Sequence, residues 1–408
     1  MASFAPFEPN PSIAVAVSGG SDSLALCRLA DRWARHRGGK VLALTVDHGL
    51  RKGSRDEAKR VEAWMHGLGI AHRILCWTPS GTSQKSARLG RYALLEEVCG
   101  AEGILHLLVG HTADDQAETA AFRWTRRSGP DGIAGMAAER ELDQIRLLRP
   151  LLSIGRDRLR ATLRGWNQTW IDDPTNLNER YARPRLRRRL ARRPAAASLW
   201  QQRASGEANR RRNRDRDLIE ALARYVAVHQ QGYVVADPAL LRTEVGSSAL
   251  GRIVRTVRGS DYMPSPRALE EACFALRSGV AGRTIGGCHI AAGVRLVVTR
   301  ESVRISDRTS VSAGETVRWD RRFFVTAPCE GVIAPLGDAT RDHRVERAPN
   351  AALRGLPSLW RDGALVAVPV TCSRGTIGRP GARKPLLVRF RPPQPLTSAA
   401  FGGILRVV

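Results

Sequence analysis

The feature that most constrains this chain is a short loop of glycine and serine near its beginning. Residues 18–23 read Ser-Gly-Gly-Ser-Asp-Ser, between the apolar run 13–17 and a helical pattern that starts at Leu24. The apolar run is short and β-branched, as in a buried strand, so the glycines lie at a strand-to-helix turn. Glycine there allows positive φ and close backbone approach, and the amides that open a helix attract anions. The loop therefore predicts a phosphate-binding turn.

Asp22 indicates that the bound anion carries a metal ion. A carboxylate repels phosphate unless a divalent cation bridges the two groups. Magnesium-bound ATP resolves this conflict, and Ser18, Ser21 and Ser23 add hydroxyl donors. The alternative is an ordinary turn in which Asp22 and Ser23 only cap the helix. The hexapeptide is improbable by chance, on the order of one in a million per start site, so the sequence favours ATP and Mg²⁺.

A second polar cluster follows the predicted fourth strand, residues 104–109. His111, Asp115 and Glu118 are spaced i to i+4 and i to i+3, which places them on adjacent positions of one helix face. One imidazole and two carboxylates are thus expected to converge on a ligand. The alternative is a capping box between Thr112 and Asp115, which explains the first turn but not Glu118.

The first half of the chain alternates between strand-like and helix-like stretches. This pattern predicts an α/β fold, an open and mostly parallel sheet with helices on both faces. Predicted strands cover residues 13–17, 41–46, 74–77 and 104–109. Ligands of such sheets gather at the carboxyl ends of the strands, so the polar clusters are expected to face one crevice.

Composition shifts along the chain predict three domains. Residues 1–195 are the expected ATP-binding catalytic domain, residues 196–310 a helical or mixed domain, and residues 311–408 a small β-rich domain. Lys and Arg outnumber Asp and Glu by 65 to 39, a net charge of +26. Polyanions are the natural partners of such a field. Seven of the eleven residues 183–193 are arginine, so we expect this segment and the two later domains to bind RNA.

Cysteine spacing and hydropathy argue against several classes of protein. The seven cysteines contain no Cys-x-x-Cys pair, which argues against a disulfide scaffold and against a zinc or iron–sulfur site. No apolar run approaches the length of a membrane span, and the first residues do not read as a signal peptide. We therefore expect a cytoplasmic protein without a membrane partner.

Seven motifs in the first half resemble those of the tRNA(Ile)-lysidine synthetase family, within the pyrophosphatase-loop (PP-loop) ATP enzymes. They are SGGSDS at 18–23, VDHGLR at 46–51, ARxxRY at 87–92, GHxxDDQAET at 110–119, GIAGM at 132–136, RPLL at 149–152 and WxxDPxN at 170–176. The resemblance implies that ATP adenylates O2 of cytidine 34 in the CAU anticodon of tRNA(Ile). The ε-amine of free L-lysine then attacks C2, and AMP and diphosphate are released.

The resemblance also implies a role for each matching residue. The expected ATP-binding residues are Ser18, Gly19, Gly20, Ser21, Asp22, Ser23, Asp47, His48 and Arg91, with Mg²⁺ on Asp22. The expected lysine-binding residues are His111, Asp115 and Glu118. The expected catalytic residues are Asp22, Arg91, Asp115 and Glu118. The expected tRNA-binding residues are Arg183, Arg185, Arg187 and Arg188.

Two segments depart from the family pattern. An Arg-Asn-x-x-Arg stretch is replaced by residues 183–187, where Pro184 disfavours helix at Arg183 and puts the local RNA contact in doubt. A usually Leu-rich segment is Arg-Trp-Thr-Arg-Arg at residues 123–127.

Other functions fit the sequence less well. A tRNA thiolase usually needs paired cysteines, and a GMP or NAD synthetase gains nothing from a charge of +26. A tRNA-binding protein without activity has no use for acids beside polyanions. The sequence leaves a monomer and a homodimer equally open.

Overall fold

A computed structural model of the chain describes residues 1–47, 49, 53–77, 84–142, 144–172, 182–341, 348–369 and 386–397. For residues 2, 84–89, 182–184 and 341 the description covers the backbone alone. Two compact units can be distinguished, Met1–Asp215 and Arg216–Ser398. The division into three domains with boundaries at 195 and 310 stays a prediction.

The first unit is built on a six-stranded sheet of order β3-β2-β1-β4-β6-β5. All neighbouring strands are parallel except β5, which is antiparallel to β6. The strands are β1 (Ser12–Ala16), β2 (Lys40–Asp47), β3 (Ala71–Cys76), β4 (His106–Val109), β5 (Glu139–Glu141) and β6 (Arg146–Leu148). The predicted open, mostly parallel sheet is confirmed, with strand ends shifted by up to three residues.

Helices cover both faces of this sheet, as predicted. The helices of the unit are α1 (Ser21–Arg35), α2 (Ser54–Gly67), α3 (Gln84–Ala101), α4 (Ala113–Thr125), α5 (Pro130–Ile133), α6 (Arg156–Gly165), α7 (Ala182–Ala191) and α8 (Pro194–Tyr225), which continues into the second unit. Ile13 and Val15 share one core with α1, α2 and α6, whereas Ala14 shares the opposite core with α3. This alternation along β1 follows from the two-residue period of a strand.

The second unit is mostly antiparallel β-structure. A five-stranded sheet contains β7 (Val226–Val228), β8 (Val234–Ala236), β9 (Gly282–Ile285), β10 (Cys288–Ala292) and β11 (Leu296–Arg300). It shares a core with α9 (Gly246–Arg258) and α10 (Pro266–Arg277).

A separate core of this unit surrounds Trp319 and Phe323. Its elements are β12 (Thr309–Val311), β13 (Thr316–Trp319), β14 (Phe323–Thr326), β15 (Gly331–Pro335), α11 (Asn350–Arg354), β16 (Pro357–Arg361), β17 (Ala364–Ala367) and β18 (Leu387–Phe390). Short 3-10 helices cover Ala2–Phe4, Pro238–Arg242, Ser302–Arg304 and Gly337–Arg341. Among the helices of the described ranges, none combines the length and the apolar composition that a bilayer span requires.

Candidate active site

The predicted phosphate loop lies between β1 and α1, where α1 begins at Ser21. Gly19 has a φ of +84°, and a Cβ added there would lie 2.7 Å from Cδ1 of Ile171, so only glycine fits. The hydroxyl of Ser23 accepts a hydrogen bond from the Ser18 N–H at 3.1 Å and donates to the Gly20 carbonyl at 3.0 Å. The first amides of α1 have no partner within the helix, which leaves them available to an anion.

The second predicted cluster lies directly against this loop. A Cβ added at Gly110 would lie 3.0 Å from the backbone nitrogen of Ser23, so glycine lets the end of β4 touch the loop. The parallel pairing of β1 with β4 brings these two strand ends to the same sheet edge. The loop and the start of α4 therefore lie side by side at this sheet edge, as expected, and we call the region between them the crevice.

The two carboxylate oxygens of Asp115 have different partners. Its Oδ2 accepts hydrogen bonds from the backbone N–H of Thr112 at 2.9 Å and from the Thr112 hydroxyl at 3.0 Å, which completes a capping box at the start of α4. Its Oδ1 instead faces two arginine side chains. One oxygen of this carboxylate is structural, and the other faces the crevice.

Arg156, which the sequence did not identify, joins the loop to the acidic cluster. Its Nε donates to Oδ2 of Asp22 at 3.0 Å, and its Nη2 donates to Oδ1 of Asp115 at 3.2 Å. The backbone N–H of Arg156, at the start of α6, donates to Oδ2 of Asp114 at 2.8 Å. Asp114 therefore positions the helix that carries this bridge.

Glu118 is buried and makes a two-pronged ion pair with Arg187 of α7. The Nε of Arg187 lies 2.7 Å from Oε1 of Glu118, and its Nη2 lies 3.0 Å from Oε2. The same Nη2 lies 3.5 Å from Oδ1 of Asp115. Arg187 was predicted to contact RNA, and that role stays a prediction.

Burial and pairing shift the ionisation of these groups in opposite directions. Burial raises the pKa of Asp22, and the neighbouring Arg156 opposes this rise. Burial likewise raises the pKa of Glu118, with Arg187 acting against it. Burial lowers the pKa of the Arg156 guanidinium, but the charges of Asp22 and Asp115 outweigh it and raise the pKa overall. The crevice thus holds carboxylates that are easier to protonate than free ones, beside a firmly charged arginine.

Arg149, for which the sequence predicted no role, orients His111. Buried Arg149 donates from Nε to Nδ1 of His111 at 3.3 Å and from Nη1 to the Ala137 carbonyl at 2.7 Å. Because a guanidinium only donates, Nδ1 acts as the acceptor, and the proton of the neutral ring lies on Nε2.

The glycine-containing motif 132–136 is fastened to α4 by Gln116. The Gln116 Nε2 donates to the Met136 carbonyl at 2.9 Å, and its Oε1 accepts from the Met136 N–H at 2.7 Å. Gly135 has a φ of +76°, and a Cβ there would collide with the Gln116 amide. This motif therefore supports the helix that carries the acids.

The remaining predicted residues are less closely joined to this cluster. Asp47 ends β2, and its Oδ1 accepts from the Gly49 N–H at 3.0 Å and from the Ser54 hydroxyl at 2.7 Å. Arg91 is exposed on α3, with its guanidinium carbon 5.7 Å from the centroid of the Tyr92 ring. The predicted contacts of Asp47 with adenosine and of Arg91 with the α-phosphate stay predictions.

Other predictions fall on parts of the chain that the structure does not describe. His48 and the Asp-Pro-x-Asn segment 173–176 lie outside the described residues, and so does the side chain of Arg183. Arg185 and Arg188 are exposed on α7. Pro184 was expected to disfavour helix at Arg183, but α7 begins at Ala182 and includes both residues. A proline in the first turn loses no intrahelical hydrogen bond.

A parallel sheet whose first strand leads into a Ser-Gly-Gly-Ser-Asp-Ser turn defines an ATP-using PP-loop enzyme, and residues 2–193 match the PP-loop domain family. The tRNA(Ile)-lysidine synthase of Ruegeria pomeroyi is 36% identical over 378 residues, which cover 89% of this chain and 89% of that protein. That of Hyphomonas neptunium is 38% identical over 69% of this chain and 78% of its own length. That of a Bradyrhizobium species is 46% identical over 45% of this chain and 53% of its own length. The chain belongs to the tRNA(Ile)-lysidine synthase family, and it is therefore an ATP-dependent ligase.

Proposed function

We propose that this enzyme joins free L-lysine to C2 of cytidine 34 in the CAU anticodon of tRNA(Ile). The observation that carries this proposal is a single crevice in which Arg156 connects Asp22 of the phosphate loop to Asp115 of the acidic cluster. This arrangement would place a site for ATP directly beside a site for an ammonium group. The name of the relatives supports tRNA(Ile) as the nucleic-acid substrate.

The phosphate loop is assigned to the leaving diphosphate of ATP, with Asp22 as the protein ligand of Mg²⁺. In the part of the chain that the structure describes, no three His, Cys, Asp or Glu side chains are grouped to hold a metal ion. One carboxylate beside an anion-binding loop fits magnesium, which binds through one or two carboxylates together with substrate phosphates and water. When bound, it would neutralise charge on the diphosphate. Asp47 and His48 are assigned to adenosine and Arg91 to the α-phosphate.

The reaction then needs two displacements. In the first, O2 of the cytosine attacks the α-phosphorus and diphosphate leaves. In the second, Nζ of lysine bonds to C2, the C2–O2 bond breaks, and AMP leaves with that oxygen. The cytosine must be unstacked from the anticodon loop to enter the crevice.

The lysine amine must lose a proton before it can attack. With a pKa near 10.4, only about one molecule in two thousand is neutral at pH 7. We assign Oδ1 of Asp115 to orient the ammonium and Glu118 to accept its proton. Burial raises the pKa of Glu118, which makes its carboxylate a stronger base than a free one. The Nε2–H of His111 is assigned to the α-carboxylate of lysine.

The tRNA contacts proposed for this unit include the exposed Arg185 and Arg188 of α7, with Arg183 and Arg187 as further candidates. Phosphate contacts by arginine should make binding fall steeply with salt. Because both substrates are cytoplasmic molecules, we expect the enzyme in the cytoplasm. Sedimentation measurements will show whether it acts as a monomer or as a homodimer.

One incubation tests the proposal. The protein is mixed with ATP, labelled lysine and tRNA(Ile) with a CAU anticodon, and in parallel with the same tRNA carrying uridine at position 34. Label in the RNA that depends on cytidine 34 is the expected result. Absence of label with both tRNAs contradicts the proposal, and transfer of labelled sulfur would favour the thiolase instead.

The acids are tested by Asp115→Asn in the same assay. Loss of lysine affinity or of turnover is expected, because the ammonium loses a charged partner. Full affinity together with full turnover would refute the assignment of Asp115. Asp56→Asn, an exposed residue in the first turn of α2, is the matched control.

A further inference from the structure

An exposed tryptophan at the end of α4 is stacked with an arginine of α8. Trp124 is 47% exposed, and the guanidinium carbon of Arg203 lies 4.0 Å from the centroid of its ring. Arg203 also lies 5.6 Å from the ring of Trp200, and the two indoles are 6.0 Å apart. We call Trp124, Arg203 and Trp200 the indole platform. Trp124 belongs to the segment 123–127 that departs from the family pattern, whereas Trp200 and Arg203 belong to α8.

The platform is fixed from below by helix packing. Trp200 packs against two small apolar clusters in which α4, α7 and α8 meet, one around Ala117 and Leu190 and one around Ala120 and Ala204. Trp200 is therefore anchored, and it supports Arg203 and Trp124 at the rim. An indole held in this way loses little conformational entropy when a flat ligand stacks on it.

The platform is surrounded by positive charge without compensation. Arg126, Arg127 and Arg203 are exposed, and among the residues that the structure describes no acidic side chain pairs with any of them. Nearby arginines of α8 differ, because Arg210 pairs with Glu207 and Arg214 with Asp131. These three exposed guanidinium groups are therefore available to an anionic partner.

We propose that the indole platform stacks an unpaired base of the tRNA substrate while Arg126, Arg127 and Arg203 contact its phosphates, an inference that rests on the proposed function. Single-stranded RNA offers both features together, a π-face for the indole and phosphates for the guanidinium groups. A second copy of this chain is disfavoured on this face, since each copy carries a net charge of +26. A neutral protein partner would leave three cations unmatched.

The position of the platform suits a nucleotide close to the modified one. Trp124 and Glu118 lie on the same helix, about 9 Å apart along its axis and roughly a third of a turn around it. A base of the anticodon loop near cytidine 34 can therefore reach the platform while cytidine 34 occupies the crevice.

The test compares variants for affinity to tRNA(Ile) over a series of salt concentrations. Trp124→Ala should weaken binding about tenfold at every salt concentration, because a stacked base is lost but no ion contact. Trp124→Phe should retain most of the affinity. Arg126→Gln and Arg203→Gln should each lower the slope of log affinity on log salt by about 0.7 to 1. Phe274→Ala, at an exposed aromatic residue of α10, is the control and should change neither the affinity nor the slope.

Unchanged affinity in a folded Trp124→Ala protein would overturn the proposal, with folding checked by thermal melting. Loss of self-association without loss of RNA affinity would also overturn it and would identify a contact between copies. If lysine is still incorporated in either case, the proposed function is retained and only the indole platform is rejected. If RNA binding depends on Trp124 but no lysine enters the RNA, the platform stands and the ligase assignment fails.

Discussion

Arginine–carboxylate pairs occur in two regions of this molecule, and the two regions differ in how deeply these pairs are buried. In the crevice, the side chains of Arg156 and Arg187 are 20% and 34% exposed. Arg156 contacts acids of α1 and α4, whereas Arg187 contacts two acids of α4. In the second unit, the side chain of Arg322 is 2% exposed and pairs with Asp320, with Nε 2.6 Å from Oδ2. Its Nη1 also donates to the Val257 carbonyl at 3.1 Å.

The difference separates a structural pair from an exchangeable one. Burial raises the pKa of Asp320 and lowers that of Arg322, so each depends on the other to stay charged. The crevice acids are also destabilised by burial, but their arginine partners are accessible from solvent. Under the proposed function, Mg²⁺ or the ammonium group of lysine would replace an arginine there without exposing the core.

The largest effect expected from this comparison is on stability. Arg322→Leu leaves the buried Asp320 with only its longer ion pair to Arg300, at 3.6 Å, and should lower the free energy of unfolding by about 3–5 kcal/mol. Arg321→Gln, at the adjacent residue, removes an exposed pair with Asp261 and should cost at most about 1 kcal/mol. Urea unfolding, with hydrogen exchange followed on peptides of the second unit, measures both. Equal stability of the two variants would show that the buried pair is not structural.

The next largest effect is on catalysis. Asp22→Asn removes the charge proposed to hold Mg²⁺ and should lower kcat/KM for lysine incorporation by roughly 10²–10³-fold. The thermal midpoint should change little, because the crevice pair is solvent-accessible. A higher Mg²⁺ concentration for half-maximal activity is also expected. Wild-type activity and wild-type Mg²⁺ dependence would remove Asp22 from the mechanism.

A similar comparison applies to what the sequence can predict. Spacing alone predicted the sheet, the phosphate loop and the grouping of Asp115 with Glu118, because strands and helices have fixed periods. It did not predict Arg156, since that residue is one of four arginines in α6 and nothing local distinguishes it. Its partners, Asp22 and Asp115, are far away in the sequence.

The sequence also did not predict that the two oxygens of one carboxylate have different partners. The capping box and the ligand-facing position of Asp115 were treated as alternatives, yet its two oxygens divide the roles between them. The burial of Glu118 depends on α7, which follows almost seventy residues later. Long-range packing of this kind leaves no periodic signal in the chain.

A smaller effect is expected for the affinity of lysine. Glu118→Gln removes the proposed proton acceptor, which is also one of the two proposed charged partners of the ammonium. KM for lysine should therefore rise about 10–100-fold and kcat should fall as well, with a much smaller change in KM for ATP. The matched control is Glu102→Gln, whose carboxylate pairs with Arg73 at the surface. Equal increases in both KM values would mean that Glu118 supports the whole crevice instead of the lysine site.

The smallest effect is a shift of the pH profile. Arg187 favours the charged form of Glu118, so Arg187→Gln should raise the pKa of that carboxyl above its already raised value. Because the proposed mechanism requires the carboxylate form of Glu118, activity should be lost as pH falls through this pKa. The acid limb of kcat/KM for lysine should therefore move to higher pH. Arg188→Gln, with the same charge change at an exposed position of α7, should leave the limb in place. An identical shift in both variants would trace it to the loss of general positive charge and not to the pair with Glu118.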